Sequence, residues 1–183
     1  MARSDTSRMS AGQHLVKAAV LGALAGAGGT LAMDLVEFRR YRRGGGTDRL
    51  IAWESAEGVD TWDKAPAPGQ VGRRLAKALT GRELPEGRAR ATTNAVHWAT
   101  GIGWGAQFGL VRGLSPRHRL ALGLLLGPTA WLTSYVILPV AKVYKPIWDY
   151  DTATLAGDLG AHLAFGLVTA ASFTGLARSL ERR

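Results

Sequence analysis

AAVLGALAGAGGTLAMDLVEF, residues 18–38, decides how the rest of the chain reads. It holds no basic residue and two acidic ones, Asp34 and Glu37, both near its end. A membrane-crossing helix needs about 20 mostly apolar residues, and this stretch has that length. Three more runs of the same kind follow at 91–111, 120–141 and 152–177, and their ionisable residues are His97, Asp158 and His162. Mean hydropathy over the 183 residues is zero, because apolar and polar residues are segregated into blocks rather than scarce. The pattern predicts an all-α integral membrane protein. It is a four-helix bundle with antiparallel spans at about 15–38, 91–111, 120–141 and 152–177, forming a single membrane domain over 1–183. A long polar loop, 39–90, joins spans 1 and 2. Arg3 and Arg8 precede the first run, which continues well beyond signal-peptide length and reads as a retained span.

The flanks are basic. The chain carries 23 Lys and Arg against 14 Asp and Glu, a formal charge of +9. Nearly all of this charge lies outside the runs, where it suits anionic lipid head groups. Nucleic-acid binding needs a basic face interleaved with aromatics on a folded module, and no such motif is present. RRYRR (39–43) on one side is matched by Arg112, Arg117 and Arg119 on the other, so the charges assign no orientation. There are no cysteines, which excludes disulfides, thiolate metal sites and cysteine nucleophiles.

Within the long loop, Gly44–Gly46 reads as a flexible break. A short helix is predicted to open at Pro68 and close at Gly81. Val71, Leu75 and Leu79 recur at four-residue spacing with Arg73, Arg74 and Lys77 between them. That spacing suits a helix in the membrane interface or one capping the bundle. Tyr144, Trp148 and Tyr150, between the third and fourth spans, look like interfacial anchors. Pro128 and Pro139 in the third span free the carbonyls of Leu124 and Tyr135 and predict bends.

Residues four apart share a helix face. Gly22, Gly26, Thr30 and Asp34 form such a stripe, with Glu37 one turn on. Asn94, His97, Gly101, Gly105 and Gly109 form a second, and Thr154, Asp158, His162 and Gly166 a third. Gly123 and Gly127 lead toward Ser134 in span 3. Small residues at this spacing let membrane helices approach closely, so the glycines are assigned to helix packing. The polar halves point toward one side of the bilayer. At about 1.5 Å per residue, Asp158 and His97 sit roughly 9 Å below that surface and His162 roughly 15 Å. Charge at such depth is costly and generally faces the interior.

Three readings of Asp34, Glu37, Asn94, His97, Asp158 and His162 follow. They are buried pairs that fix helix register. They carry protons or a small solute, with histidine poised near neutral pH. Or His97, Asp158 and His162 hold a divalent metal. The chain has no HExxH, no ExxH and no GxSxG, so no catalytic residue is assigned and no cofactor beyond such a metal is expected. An assembly subunit, packing on its own copies or on larger membrane partners, is the alternative function.

The motifs NAVHWATGIGWG (94–105) and DLGAH (158–162), with the acidic end of span 1, the long loop and the late proline-containing span, resemble bacterial inner-membrane proteins of the YagU type. The layout is shared over about residues 15–175. The resemblance implies four spans in a bacterial inner membrane and a link to acid tolerance. This chain departs from the type in having no cysteines and a more basic, glycine-rich start to the loop.

Overall fold

The computed structural model describes residues 11–114 and 119–182. The tail 1–10, Arg183, and residues 115–118 of the basic turn lie outside the described residues. Regular structure among the described residues is helical throughout: α1 Ala11–Arg43, α2 Leu50–Glu54, α3 Ala67–Thr80, α4 Ala89–Leu114, α5 Arg119–Val140 and α6 Thr152–Glu181. Single 3-10 turns lie at Glu86–Arg88 and Ile147–Asp149.

Three helices are long and apolar enough to cross a membrane: Ala11–Arg43, Ala121–Val140 and Thr152–Leu180. The expected second span is a helix of 26 residues, about 39 Å, so length does not exclude it. It falls short in apolarity because Asn94, His97, Gln107 and its glycines dilute the hydrophobic residues. His97 and the glycines at 101, 105 and 109 face α1, where a hydropathy average does not look.

Exposure is inverted relative to a protein that packs its core against water. Val16, Val20, Leu24, Leu31 and Leu35 stand exposed along one side of α1, and Leu124, Leu125, Leu132 and Val136 along α5. The fully enclosed positions are small or polar, among them Ala25, Thr30, Ala89 and Thr169. Lipid tails are as apolar as leucine, so large apolar groups gain nothing by turning inward, whereas small ones allow backbones to meet.

The glycine stripes are where they meet. A methyl group on Gly26 would lie 2.5 Å from the Gly101 carbonyl oxygen and 2.8 Å from Gly105 Cα. Gly22 packs likewise on Gly105 and Gly109, so residue numbers rise along α1 as they fall along α4. Gly166 is equally confined: its added methyl would lie 2.6 Å from Gly127 N and 2.8 Å from the Gly123 oxygen. Phe165 and Thr169 of α6 close over Gly29. Leu21, Ala25, Phe108, Leu126, Phe165 and Phe173 form the apolar core between these contacts. α4 and α5, by contrast, scarcely touch.

Three loop features differ from expectation. α1 continues through RRYRR to Arg43, where arginines in the last turn complement the helix dipole. Gly44–Gly46 is an organised turn, because the Tyr41 hydroxyl donates to Asp48 Oδ2 at 2.6 Å and accepts from the Thr47 and Asp48 amides. The segment before α4 has its own small core, with Trp62 enclosed by Ala65, Ala89, Val59 and Leu84. The Trp62 indole donates to the Leu84 carbonyl at 3.0 Å, and its amide to Glu86 Oε2 at 2.7 Å. α3 ends at Gly81, whose φ of 69° suits glycine. Its Gly69 and Gly72 face Thr92, Thr93 and Val96 of α4, leaving Leu75 and Leu79 exposed.

Candidate functional site

The α1 stripe delivers Asp34 to α4 one turn beyond the last glycine contact. Asp34 is 5% exposed, and His97 Nε2 lies 3.0 and 3.1 Å from its two oxygens. A carboxylate only accepts, so the ring nitrogen facing it carries the proton. Glu54, the last residue of α2, completes a group with them. One donor atom from each of Asp34, Glu54 and His97 lies within 4.8 Å of the others. Glu54 Oε1 is buried without a hydrogen-bond partner. Burial, reinforced by the Asp34 charge, holds the Glu54 carboxyl well above the ordinary carboxylate range. α2 is fixed there from behind: Asn94 Nδ2 donates to the Ser55 carbonyl at 2.8 Å, and Arg90 donates to the same carbonyl and to the Ser55 hydroxyl.

A second cluster lies between α1, α5 and α6. The Tyr135 hydroxyl donates to Asp158 Oδ2 at 2.6 Å, and Arg40 Nη1 reaches Oδ1 at 3.5 Å. The same guanidinium nitrogen donates to Glu37 Oε1 at 2.9 Å. Tyr135, Tyr144 and Tyr150 pack on one another in tilted and edge-on arrangements, with ring centroids 5.3 to 6.1 Å apart. Burial, then the Asp158 charge, pushes the Tyr144 phenol up to about 12, so it stays protonated. Tyr144 and Tyr150 are therefore walls of this cluster rather than lipid-facing anchors, while Trp148 is 80% exposed.

The five ionisable residues of the apolar runs thus do not meet at one point. Asp34 and His97 pair on one side, and Glu37 and Asp158 share Arg40 on the other. Asp158 and His162 are joined through the backbone: His162 Nδ1 donates to the Asp158 carbonyl at 2.8 Å, leaving the carboxylate to Tyr135 and Arg40. His97, Asp158 and His162 are not gathered as a donor set; the structure groups His97 with Asp34 and Glu54. Asn94 serves as a strut for α2 rather than a member of either cluster.

What the two histidines share is a cavity of 490 Å³ in the gap between α4 and α5, closed by α1, α3 and α6. Both rings line it. The rest of the wall is mainly apolar, with Met33, Val96, Trp104, Ile137 and Phe165 among its residues and Thr133 and Ser134 opposite. His162 Nδ1 carries a proton because its partner is a carbonyl, so Nε2 of the neutral ring is an acceptor. His97, donating through Nε2, is left with Nδ1 as acceptor in its neutral form. The cavity wall therefore includes two rings able to take up a proton.

Glu54 and Arg40 were not assigned to the site from the sequence, and Tyr135 was marked there only for its freed carbonyl. Arg40 was hidden in a run that reads as lipid-facing charge, and Tyr135 carries no charge. Glu54 follows LIAW (50–53), a short apolar stretch beside no recognisable motif; Trp53 there packs on Phe38 and Tyr41, which docks α2 on α1. Compared with known protein families, curated proteins and solved structures, the chain matches none.

Proposed function

We propose that the chain is a four-span bacterial inner-membrane protein whose cavity takes up protons together with a small solute. The cavity lined by both His97 and His162 carries this reading. Each ring has one nitrogen committed to a protein acceptor and one left to exchange a proton, and histidine changes charge near neutral pH. The mainly apolar wall favours a solute with little charge. α4 is the fourth span in this reading, antiparallel to α1. Its contacts run along α1 from Ala18 to Asp34, about 24 Å, most of a hydrocarbon core. α3 lies in the interface in this reading, with the exposed Leu75 and Leu79 toward acyl chains. The YagU-type resemblance, with its link to acid tolerance, fits a proton-handling role.

The test is proton flux into vesicles loaded with a pH-sensitive dye. Wild-type protein should collapse an imposed pH gradient faster than protein-free vesicles, and His162→Gln should return the rate toward that background. Equal rates for wild-type, His162→Gln and protein-free vesicles overturn the proposal.

For the Asp158 cluster a structural role is favoured by one observation: both carboxylate oxygens already have partners on other helices. There Asp158 ties α6 to α1 and α5.

A further inference from the structure

Asp34, Glu54 and His97 come from three separate elements, α1, α2 and α4, and each presents a donor atom to one small volume. We propose that these three side chains form a binding site for a divalent first-row transition ion such as Zn²⁺ or Mn²⁺.

Spacing is the first argument. Ligands about 2.1 Å from one ion lie about 3.0 Å apart at right angles and about 3.4 Å apart in a tetrahedron. His97 Nε2 and the Asp34 oxygens are 3.0 and 3.1 Å apart, so both can face one ion with little movement once the ring hydrogen has shifted from Nε2 to Nδ1. The outer limit of 4.8 Å for the group requires only a small approach by Glu54, the ligand on the shortest element.

The second argument is the unmet demand of Glu54. Its Oε1 is shut off from solvent and accepts no hydrogen bond, although it lies beside a second carboxylate that is more than nine-tenths buried. With both carboxyls deprotonated, as metal ligands must be, the two carboxylates and a neutral imidazole sum to −2, which a divalent cation cancels. Arg40, on the same helix as Asp34, is committed to Glu37 and Asp158 and does not supply that charge here. One nitrogen and two carboxylate donors, without sulfur, favour a borderline ion over copper(I) or calcium. The outer shell is in place, since Ser55, adjoining Glu54, is held by Arg90 and Asn94. Three protein ligands form the open pattern, which leaves a coordination position for water or another ligand.

The site is independent of the cavity reading, although His97 also lines the cavity, and one set of variants separates them. The tag-free full-length chain, purified in detergent and stripped with a chelator, is titrated with Zn²⁺ and with Mn²⁺. Wild type should bind one equivalent of at least one of them and unfold at a higher temperature with it. Glu54→Gln, at the edge of the fold, should keep the metal-free unfolding temperature and bind at least about tenfold more weakly, since even an outer-shell change costs that much. His162→Gln should bind as wild type whatever it does to proton flux. No saturable uptake of either ion by wild type overturns the proposal, as does wild-type affinity in Glu54→Gln.

Discussion

At the scale of single residues, the two clusters divide by whether their valences are filled. Asp158 accepts from Tyr135 and Arg40, its helix carries the carbonyl that engages His162, and nothing is left to exchange. Asp158→Asn keeps the shape and removes the charge that both donors answer. The expected loss is about 1–2 kcal/mol of stability, below the full value of charged hydrogen bonds because the group is partly exposed. It should be read as a lower unfolding temperature in detergent with proton flux per folded molecule unchanged. Loss of flux at normal stability would move Asp158 into the functional set. Arg40→Gln should cost a comparable amount, since it loses the 2.9 Å pair with Glu37 as well as the long 3.5 Å contact with Asp158. That Asp34 and His97 lie on facing stripes was legible, because Asp34 sits two turns after Gly26 and His97 one turn before Gly101; that they pair apart from Asp158 and His162 was not. Glu54 was not, since its place depends on the path of a loop, and no periodicity in the sequence encodes that path.

Among elements, packing is set by where a Cβ can exist. The stripes Gly22–Gly26 and Gly101–Gly105–Gly109 were readable as an interface, and the backbone contacts fall on them. Gly26→Ala places a methyl against backbone atoms that cannot rotate away. A destabilisation of about 1–3 kcal/mol is expected, measured as thermal unfolding in detergent. Gly160 on α6 has nothing within 4 Å of its would-be methyl. Gly160→Ala should instead be neutral or gain about 0.5–1 kcal/mol by removing a glycine from a helix interior. Equal effects at the two positions would show that proximity is not what confines Gly26. The α3 boundaries were legible because proline and glycine mark them. The organised turn after α1 was less so: three glycines suggest freedom, while the Tyr41 hydroxyl that fixes the turn looks like any aromatic in a basic run.

For the whole molecule, the least legible matter was the number of crossings. Hydropathy averages all faces of a helix, and α4 hides polar groups on the face that meets α1. The absence of native cysteines allows a direct test with single cysteines at exposed positions. Four crossings put Gly12→Cys and Ser179→Cys within reach of an impermeant thiol reagent from one side, and Glu57→Cys from the other. If α4 does not cross, the three remaining spans place Gly12→Cys and Ser179→Cys on opposite sides.

The gap between α4 and α5 has a thermodynamic meaning of its own. Where such a gap opens sideways into a bilayer, its empty state is a groove into which an acyl chain can lie. A solute entering there exchanges with lipid, and moving an apolar group from one hydrocarbon setting to another gains almost nothing. Selectivity must then come from what lipid tails cannot offer, a hydrogen bond to His97 or His162. Occupancy would be set by competition with the surrounding lipid, so acyl-chain composition should act on this protein as a competing ligand does.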